Sequence, residues 1–193
     1  MTTVDFEKRI AELMKSISYK KRKYSFIKQI DENIFGIIGF GSVSYQIRGT
    51  VFVHPTVGIY NKAVDDIFHQ LTNLKGDGYY QPVINTSFGY LTPQNEYKEW
   101  LVNDDNIDSV NLELIDVIKL YGLPFIEKYK DPEILMKCVA DKKYILSENR
   151  DYILPILYYL NGDKHKGLQY IEDNINQSNN PVYSKYYENY RDL

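Results

Sequence analysis

The stretch from Ile34 to Tyr60 constrains the fold of this chain more than any other part of the sequence. It reads IFGIIGFGSVSYQIRGTVFVHPTVGIY, so β-branched, aromatic and other apolar residues recur among glycines, and Arg48 is its only ionised side chain. Such residues favour β-strands, and strands with so little charge need a cover on at least one face. The stretch therefore predicts a strand pair at the centre of a sheet, with the flanking helices as its cover.

The segments around this stretch alternate between helical and strand patterns. Thr3 is a suitable N-cap for a first helix that ends near Ser18, and a basic turn then leads into the first strand. Arg48–Gly49 is predicted to close the hairpin inside the central stretch. A second helix follows, and two short strand candidates come after it, at residues 79–92 and 97–102.

The C-terminal half of the chain has helical spacing throughout. One long helix is predicted to end at Gly122, because Pro124 follows two residues later. Two further segments, 151–160 and 164–175, are joined by a tight turn and predict an antiparallel helical hairpin. Gly167 is the small residue where the two helices of this hairpin are expected to cross.

These patterns together predict an α+β fold. We expect an N-terminal helix, an antiparallel sheet of about four or five strands with a helix packed on one face, and a C-terminal run of helices. The sheet region is predicted to span residues 1–105, and the helical region that packs on it to span 106–193. The two regions are expected to form one structural unit.

Composition and charge narrow the classes of protein to which the chain can belong. Its 193 residues carry a net charge of -3, so the overall field does not attract DNA or an anionic membrane. Cys138 is the only cysteine, which excludes an internal disulfide and fits a reducing compartment. The N-terminus lacks the basic start and apolar run of a signal peptide. We therefore expect a cytoplasmic protein that binds neither DNA nor membranes.

Three pieces of the sequence together resemble a known bacterial family. They are the helix from Phe6 to Leu13 running into YKKRKYSF, the segment IRGTVFVHP, and KEWLVNDDN followed by a helix and YGLPFIEKY. Over roughly residues 4–141 the chain resembles domain of unknown function 4304. The resemblance implies an α+β fold and a bacterial source, and it transfers no catalytic residue. Small families of this kind often accompany bacterial toxins as immunity proteins, which is an association rather than a mechanism.

The last helix presents a row of tyrosines, in a chain that contains 19 of them. Four residues follow the spacing i, i+3, i+4 and i+7, which is one helical face: Tyr183, Tyr186, Tyr187 and Tyr190. Tyrosine is favoured at protein interfaces because its rigid ring buries area while its hydroxyl stays in contact with water. Two interpretations follow. Either a protein partner covers this face, or the protein's own helical hairpin does.

A basic run near the N-terminus supports a different hypothesis. The run comprises Lys20, Lys21, Arg22 and Lys23, and a tyrosine lies on each side of it. Cationic side chains bind the RNA backbone while aromatic rings stack on bases, so the run is a candidate RNA-binding segment. The alternative is a solvated turn that protects an edge strand, because lysine there discourages pairing with another chain.

No motif for catalysis, a cofactor or a metal has complete spacing in this sequence. His54 is a candidate catalytic residue only if the fold brings it near a carboxylate such as Asp65 or Asp66. The leading hypothesis is therefore a non-enzymatic protein-binding module, immunity-like or adaptor, without a cofactor. The alternatives are an enzyme whose histidine and carboxylate meet only in the fold, and an RNA-binding protein.

Overall fold

The computed structural model describes residues 3–23, 25–43, 49–75, 80–175 and 180–193. It contains an N-terminal helix, a six-stranded antiparallel sheet and a run of C-terminal helices, which confirms the predicted α+β class. The chain divides into two compact units. Unit 1 comprises Met1–Ile59 and Asn85–Lys128, and unit 2 comprises Tyr60–Ile84 and Tyr129–Leu193. Within the described ranges, the helices are too short or too polar to cross a bilayer.

The sheet follows the order of the chain, β1-β2-β3-β4-β5, and β6 pairs with β4 outside this path. Its strands are β1 (Lys20–Arg22), β2 (Ser25–Gln29), β3 (Ile34–Val43), β4 (Val51–Asn61), β5 (Ile84–Ser87) and β6 (Trp100–Val102). The sequence predicted about four or five strands, and the basic run predicted as a turn supplies the additional strand β1. Arg48, predicted to close the hairpin between β3 and β4, lies outside the described residues, as does Tyr79.

One face of the sheet packs on helix α1 (Thr3–Ser16) through aromatic rings. Phe26 of β2 pairs with Ile38 of β3, so both side chains project from the same face. Phe40 lies two residues further along β3, and its ring contacts that of Phe26 at 5.7 Å and that of Phe6 in α1 at 6.1 Å. On the same face, a Cβ at Gly36 would lie 2.8 Å from Ile126 Cδ1. Glycine there permits this close packing.

The helix predicted to end at Gly122 continues beyond it, so this prediction is wrong. Helix α3 (Ile107–Val117) passes into a π-helical turn (Ile118–Gly122) and then into α4 (Leu123–Tyr129). The Leu123 N–H bonds to the Ile118 carbonyl, five residues earlier. Pro124, which has no N–H, is the second residue of α4 and directly follows the π-helical turn, where the regular α-helical bonding pattern is already interrupted.

Unit 2 consists mainly of helices. They are α2 (Lys62–Thr72), α5 (Pro132–Ala140), α6 (Ser147–Leu160), α7 (Lys164–Ile175) and α8 (Pro181–Arg191). The predicted hairpin is confirmed as α6 and α7, joined through Gly162 at φ 82°. Tyr170 Oη donates to Asp151 Oδ1 at 2.7 Å, and the Lys166 ammonium lies 4.5 Å from the ring centre of Tyr158, as expected for antiparallel helices.

The limits of the two units do not coincide with the predicted boundary between residues 105 and 106. Helix α2 belongs to unit 2 although it follows the central strands, whereas α3 and most of α4 belong to unit 1. Periodicity along a sequence shows which face of an element is apolar. It does not show which elements share a core, and the predicted boundary between residues 105 and 106 stays a prediction.

Candidate functional site

Three of the four tyrosines on α8 lie in the core of unit 2. Tyr183 is 3% exposed, and Tyr186 and Tyr190 are fully buried. Their hydroxyls reach the backbone of α6: Tyr186 Oη donates to the Tyr152 carbonyl at 2.6 Å and Tyr190 Oη to the Pro155 carbonyl at 2.8 Å. Of the two interpretations of this face, the structure shows the one in which the protein covers its own tyrosines.

Tyr187 occupies a different environment from the other three. Its ring is half-buried, its hydroxyl donates to Glu172 Oε1 at 3.1 Å, and the Arg191 guanidinium lies 5.9 Å from its ring centre. A protein partner for the tyrosine face stays a prediction. The three buried rings offer no surface for it in this structure, which leaves Tyr187 as the accessible member of the set.

A cavity of about 420 Å³ lies in unit 2 beside helix α2. Its lining comes from the end of β4, from α2, from the residues after α2 and from one face of α6. The lining residues are Asn61, Val64, Asp65, Phe68, His69, Leu74, Lys75, Gln81, Val83, Asn149, Tyr152 and Ile153. Pockets of this size and largely apolar lining are the usual location of small-molecule sites.

Helix α2 brings the ionisable groups of this cavity together. Asn61 caps the helix, because its Oδ1 accepts from the N–H groups of Ala63 at 3.0 Å and Val64 at 3.3 Å. Asp65 and His69 lie four residues apart on this helix, and that spacing places them on one side of it. Asp65 Oδ1 is 3.5 Å from His69 Nε2, and the two side chains are 22% and 31% exposed.

The backbone after α2 fixes the orientation of the His69 ring. Asn73 adopts the left-handed conformation at φ 55° and ends the helix. The Leu74 carbonyl then lies 3.0 Å from His69 Nδ1. Because a carbonyl oxygen only accepts hydrogen bonds, Nδ1 is the protonated nitrogen, and in the neutral ring Nε2 carries a lone pair on the side of Asp65.

The Asp65 carboxylate is held from its other side by Tyr60, which is buried at the end of β4. Tyr60 Oη donates to Asp65 Oδ2 at 3.0 Å. Burial, together with the negative charge of Asp65, raises the pKa of the Tyr60 phenol, so the phenol keeps its proton and stays a donor. This bond leaves Asp65 Oδ1 as the oxygen directed to His69.

Another part of the cavity lining is apolar and aromatic. Phe68 of α2 and Tyr152 and Ile153 of α6 form this part, and the rings of Phe68 and Tyr152 meet edge to face at 5.7 Å. The Tyr152 hydroxyl accepts from Asn180 Nδ2 at 3.2 Å, and burial raises its pKa. These contacts hold both rings in place, so the wall is formed before any ligand arrives.

The histidine beside Asp65 is His69, whereas the predicted candidate was His54. His54 lies on β4 in unit 1, where its ring packs on that of Tyr97 at 4.9 Å. His54 Nε2 is buried and has no hydrogen-bond partner among the described residues. Asp66, the other carboxylate named, forms an ion pair with Lys62. An enzymatic role for a histidine and carboxylate in this fold stays a prediction.

The basic run lies at the edge of the sheet. Lys20, Lys21 and Arg22 form β1, the first strand of the sheet order, and all three are exposed. Lys21 Nζ forms an ion pair with Glu7 Oε2 of α1 at 2.6 Å. The exposed cations on an edge strand fit the interpretation in which they discourage pairing with another chain. RNA binding by Lys20–Lys23 stays a prediction.

Of the residues that line the cavity, only Asp65 was predicted to have a functional role. Asp65 was predicted as a partner for His54, and no functional role was predicted for His69. The spacing of Asp65 and His69 on a capped helix was the one signal that pointed to the pair. The resemblance to domain of unknown function 4304 stays a prediction, because the chain matches no protein-family model, no curated protein and no solved structure.

Proposed function

We propose that this chain is a ligand-binding protein whose unit 2 holds a small, largely apolar molecule in the cavity beside α2. One observation carries the proposal: an apolar wall and a polar pair, Asp65 and His69, line the same space of about 420 Å³. The apolar wall supplies contact area for the ligand, and the polar pair fixes the orientation of the ligand. This division of roles is typical of small-molecule sites.

The geometry favours binding because contacts within the protein already position both the polar and the apolar parts of the cavity lining. Asn61 fixes the start of α2, and the ring contact between Phe68 and Tyr152 fixes the apolar side. A preformed site loses little conformational entropy on binding. Apolar area buried there contributes about 25 cal/mol per Å², so one aromatic ring of a ligand is enough for measurable affinity.

The polar groups of the cavity support binding over nucleophilic catalysis. Among its described lining residues there is no serine, threonine or cysteine, the side chains that a neighbouring histidine commonly activates. Asp65 and His69 instead hydrogen-bond to Tyr60 and to the Leu74 carbonyl, contacts that fix their positions. This arrangement suits recognition of a polar group on the ligand.

The proposal predicts that obstruction of the cavity abolishes ligand binding without unfolding the protein. Leu74 lines the cavity and is 49% exposed, so Leu74→Trp adds bulk there without disturbing the core. Leu146→Trp is the matched control, because Leu146 is 71% exposed in the same unit and does not line the cavity. Binding of fragments with one aromatic ring is measured by ligand-observed NMR.

We expect fragments to bind the unmodified protein and the Leu146→Trp control, and to lose binding in Leu74→Trp. Circular dichroism establishes that all three proteins are folded. Equal binding to the Leu74→Trp variant would show that fragments bind elsewhere. Absence of binding to the unmodified protein would contradict the proposal directly.

A further inference from the structure

We infer that the ligand of this cavity is a cation with an aromatic or apolar body, an arylalkyl amine in the simplest case. The inference rests on the proposed function and adds the chemical class of the ligand. It follows from the hydrogen-bonding capacity that Asp65 and His69 have left once their contacts within the protein are made.

His69 presents an acceptor to the cavity. Its Nδ1–H is committed to the Leu74 carbonyl at 3.0 Å, so in the neutral ring Nε2 has a lone pair and no proton. A ligand group bound at Nε2 must therefore donate a hydrogen bond. A carbonyl, ether or carboxylate on the ligand would face a lone pair and be repelled.

Asp65 presents a second acceptor beside the first. Its Oδ2 accepts from Tyr60 at 3.0 Å, and an ionised carboxylate has no proton to donate, so Oδ1 also requires a donor. Oδ1 and Nε2 are 3.5 Å apart, longer than the usual length of a charge-assisted hydrogen bond, about 2.7–2.9 Å. Asp65 Oδ1 and His69 Nε2 therefore do not satisfy each other's hydrogen-bonding capacity.

An ammonium group matches this arrangement. Its three N–H groups allow it to donate to Asp65 Oδ1 and His69 Nε2 at the same time, and its positive charge is attracted by the carboxylate. Phe68 and Tyr152 line the same cavity, and aromatic side chains there suit a ligand that joins a cation to an apolar body. An anion would be repelled by the negative charge of Asp65, although the exposed Lys75 at the rim offers it an alternative contact.

Two matched sets of probes test the ligand class on the unmodified protein. Phenethylamine, phenethyl alcohol and hydrocinnamate share a phenyl body, and tryptamine, tryptophol and indolepropionate share an indole body. Within each set only the end group changes, from ammonium to hydroxyl to carboxylate. Dissociation constants are measured by isothermal titration calorimetry. We expect each amine to bind at least about tenfold more tightly than its alcohol, the effect of one hydrogen bond to a charged group.

The variant Asp65→Asn removes the charge and keeps an oxygen that accepts from Tyr60. We expect it to weaken amine binding about tenfold or more and to change alcohol binding by less than about threefold. Asp66→Asn is the matched control, because it removes the same charge one residue further along α2. The Asp66 carboxylate forms an ion pair with Lys62 and does not line the cavity. We expect this control to retain the preference for amines.

The possible outcomes separate this inference from the proposed function. If the alcohols or carboxylates bind as tightly as the amines, or if Asp65→Asn retains the preference for amines, the ligand class is overturned and the binding function stands. If none of the six probes binds the unmodified protein, the proposed function is overturned, and the inference with it.

Discussion

A single proline in α6 explains why the tyrosines on α8 are suited to pack against that helix. Pro155 has no backbone N–H, so the Asp151 carbonyl four residues earlier loses its helical donor. The Tyr183 hydroxyl lies 3.5 Å from that carbonyl oxygen, and Tyr190 donates to the carbonyl of Pro155 itself. The periodicity of the sequence was enough to place these tyrosines on one face. It did not show that their hydroxyls would bond to the backbone of α6.

We predict that Tyr190→Phe lowers the free energy of unfolding by about 0.5–1.5 kcal/mol, the usual net contribution of one hydrogen bond. The ring remains, so only the bond to the Pro155 carbonyl is lost. Tyr187→Phe is the control, because its hydroxyl bonds to Glu172 at an exposed position. We expect less than about 0.5 kcal/mol there. Urea denaturation measures both, and an equal effect of the two substitutions would contradict the role given to Tyr190.

His69 shows what residue-level reasoning from sequence misses. The orientation of its ring depends on the Leu74 carbonyl, and that carbonyl points back toward the helix only because Asn73 adopts a left-handed conformation at φ 55°. Asparagine tolerates this conformation, but the sequence does not show that it is used here. Helical periodicity predicted α2. The orientation of His69, however, depends on the backbone conformation of the residues that follow this helix.

At the scale of the elements, the contact between α6 and α7 depends on Gly167. A Cβ at this position would collide with the Tyr190 hydroxyl oxygen and lie 2.9 Å from the Pro155 carbonyl oxygen. Glycine inside a helix costs roughly 1 kcal/mol relative to alanine, so its presence in α7 needs a compensating contact. The compensation is that three helices, α6, α7 and α8, meet at one point. The predicted role of Gly167 as the small residue at the crossing is confirmed.

We predict that Gly167→Ala destabilises the protein by about 1–3 kcal/mol, as overpacking does, although alanine is the better helix former. A double-mutant cycle identifies the cause. In the Tyr190→Phe background the colliding oxygen is absent, so the cost of Gly167→Ala should fall. Chemical denaturation of the four proteins gives the coupling energy. An unchanged cost in that background would mean that the Tyr190 hydroxyl is not what excludes a side chain at residue 167.

At the scale of the whole molecule, the burial of many phenols links folding to pH. Burial raises the pKa of several tyrosines, to about 12 for Tyr129 and well above the ordinary value for Tyr186. A phenol whose pKa is raised by folding binds its proton more tightly in the folded state. It therefore contributes stability that is fully present below the unfolded pKa, about 10, and is lost as the pH rises above it.

We predict that the free energy of unfolding decreases as the pH is raised beyond about 10. Phenolate absorbance should then appear together with the loss of the helical circular dichroism signal, because the buried phenols ionise when the protein unfolds. The same titration in concentrated urea gives the baseline for accessible tyrosines. Full ionisation near the baseline pKa with the helical signal intact would contradict the burial described above.

The overall class of the fold was predictable because strand patterns and helical patterns occupy separate segments of the sequence. The nearly uncharged stretch from Ile34 to Tyr60 became the two longest strands, β3 and β4, and the helical half became helices. The division into units was not predictable, since it depends on contacts between segments far apart in sequence. Asn189 of α8, for example, donates to the Leu71 carbonyl of α2 at 2.6 Å, and no local pattern encodes that bond.

The distribution of aromatic residues gives each unit its own optical signal. Trp100 is the only tryptophan and is buried in unit 1, where its indole N–H donates to Glu113. Most of the 19 tyrosines belong to unit 2. Tryptophan fluorescence therefore reports on unit 1, while the tyrosine ellipticity in the near ultraviolet reports chiefly on unit 2. Without any label, one denaturation experiment can show whether the two units lose their structure in a single transition or in sequence.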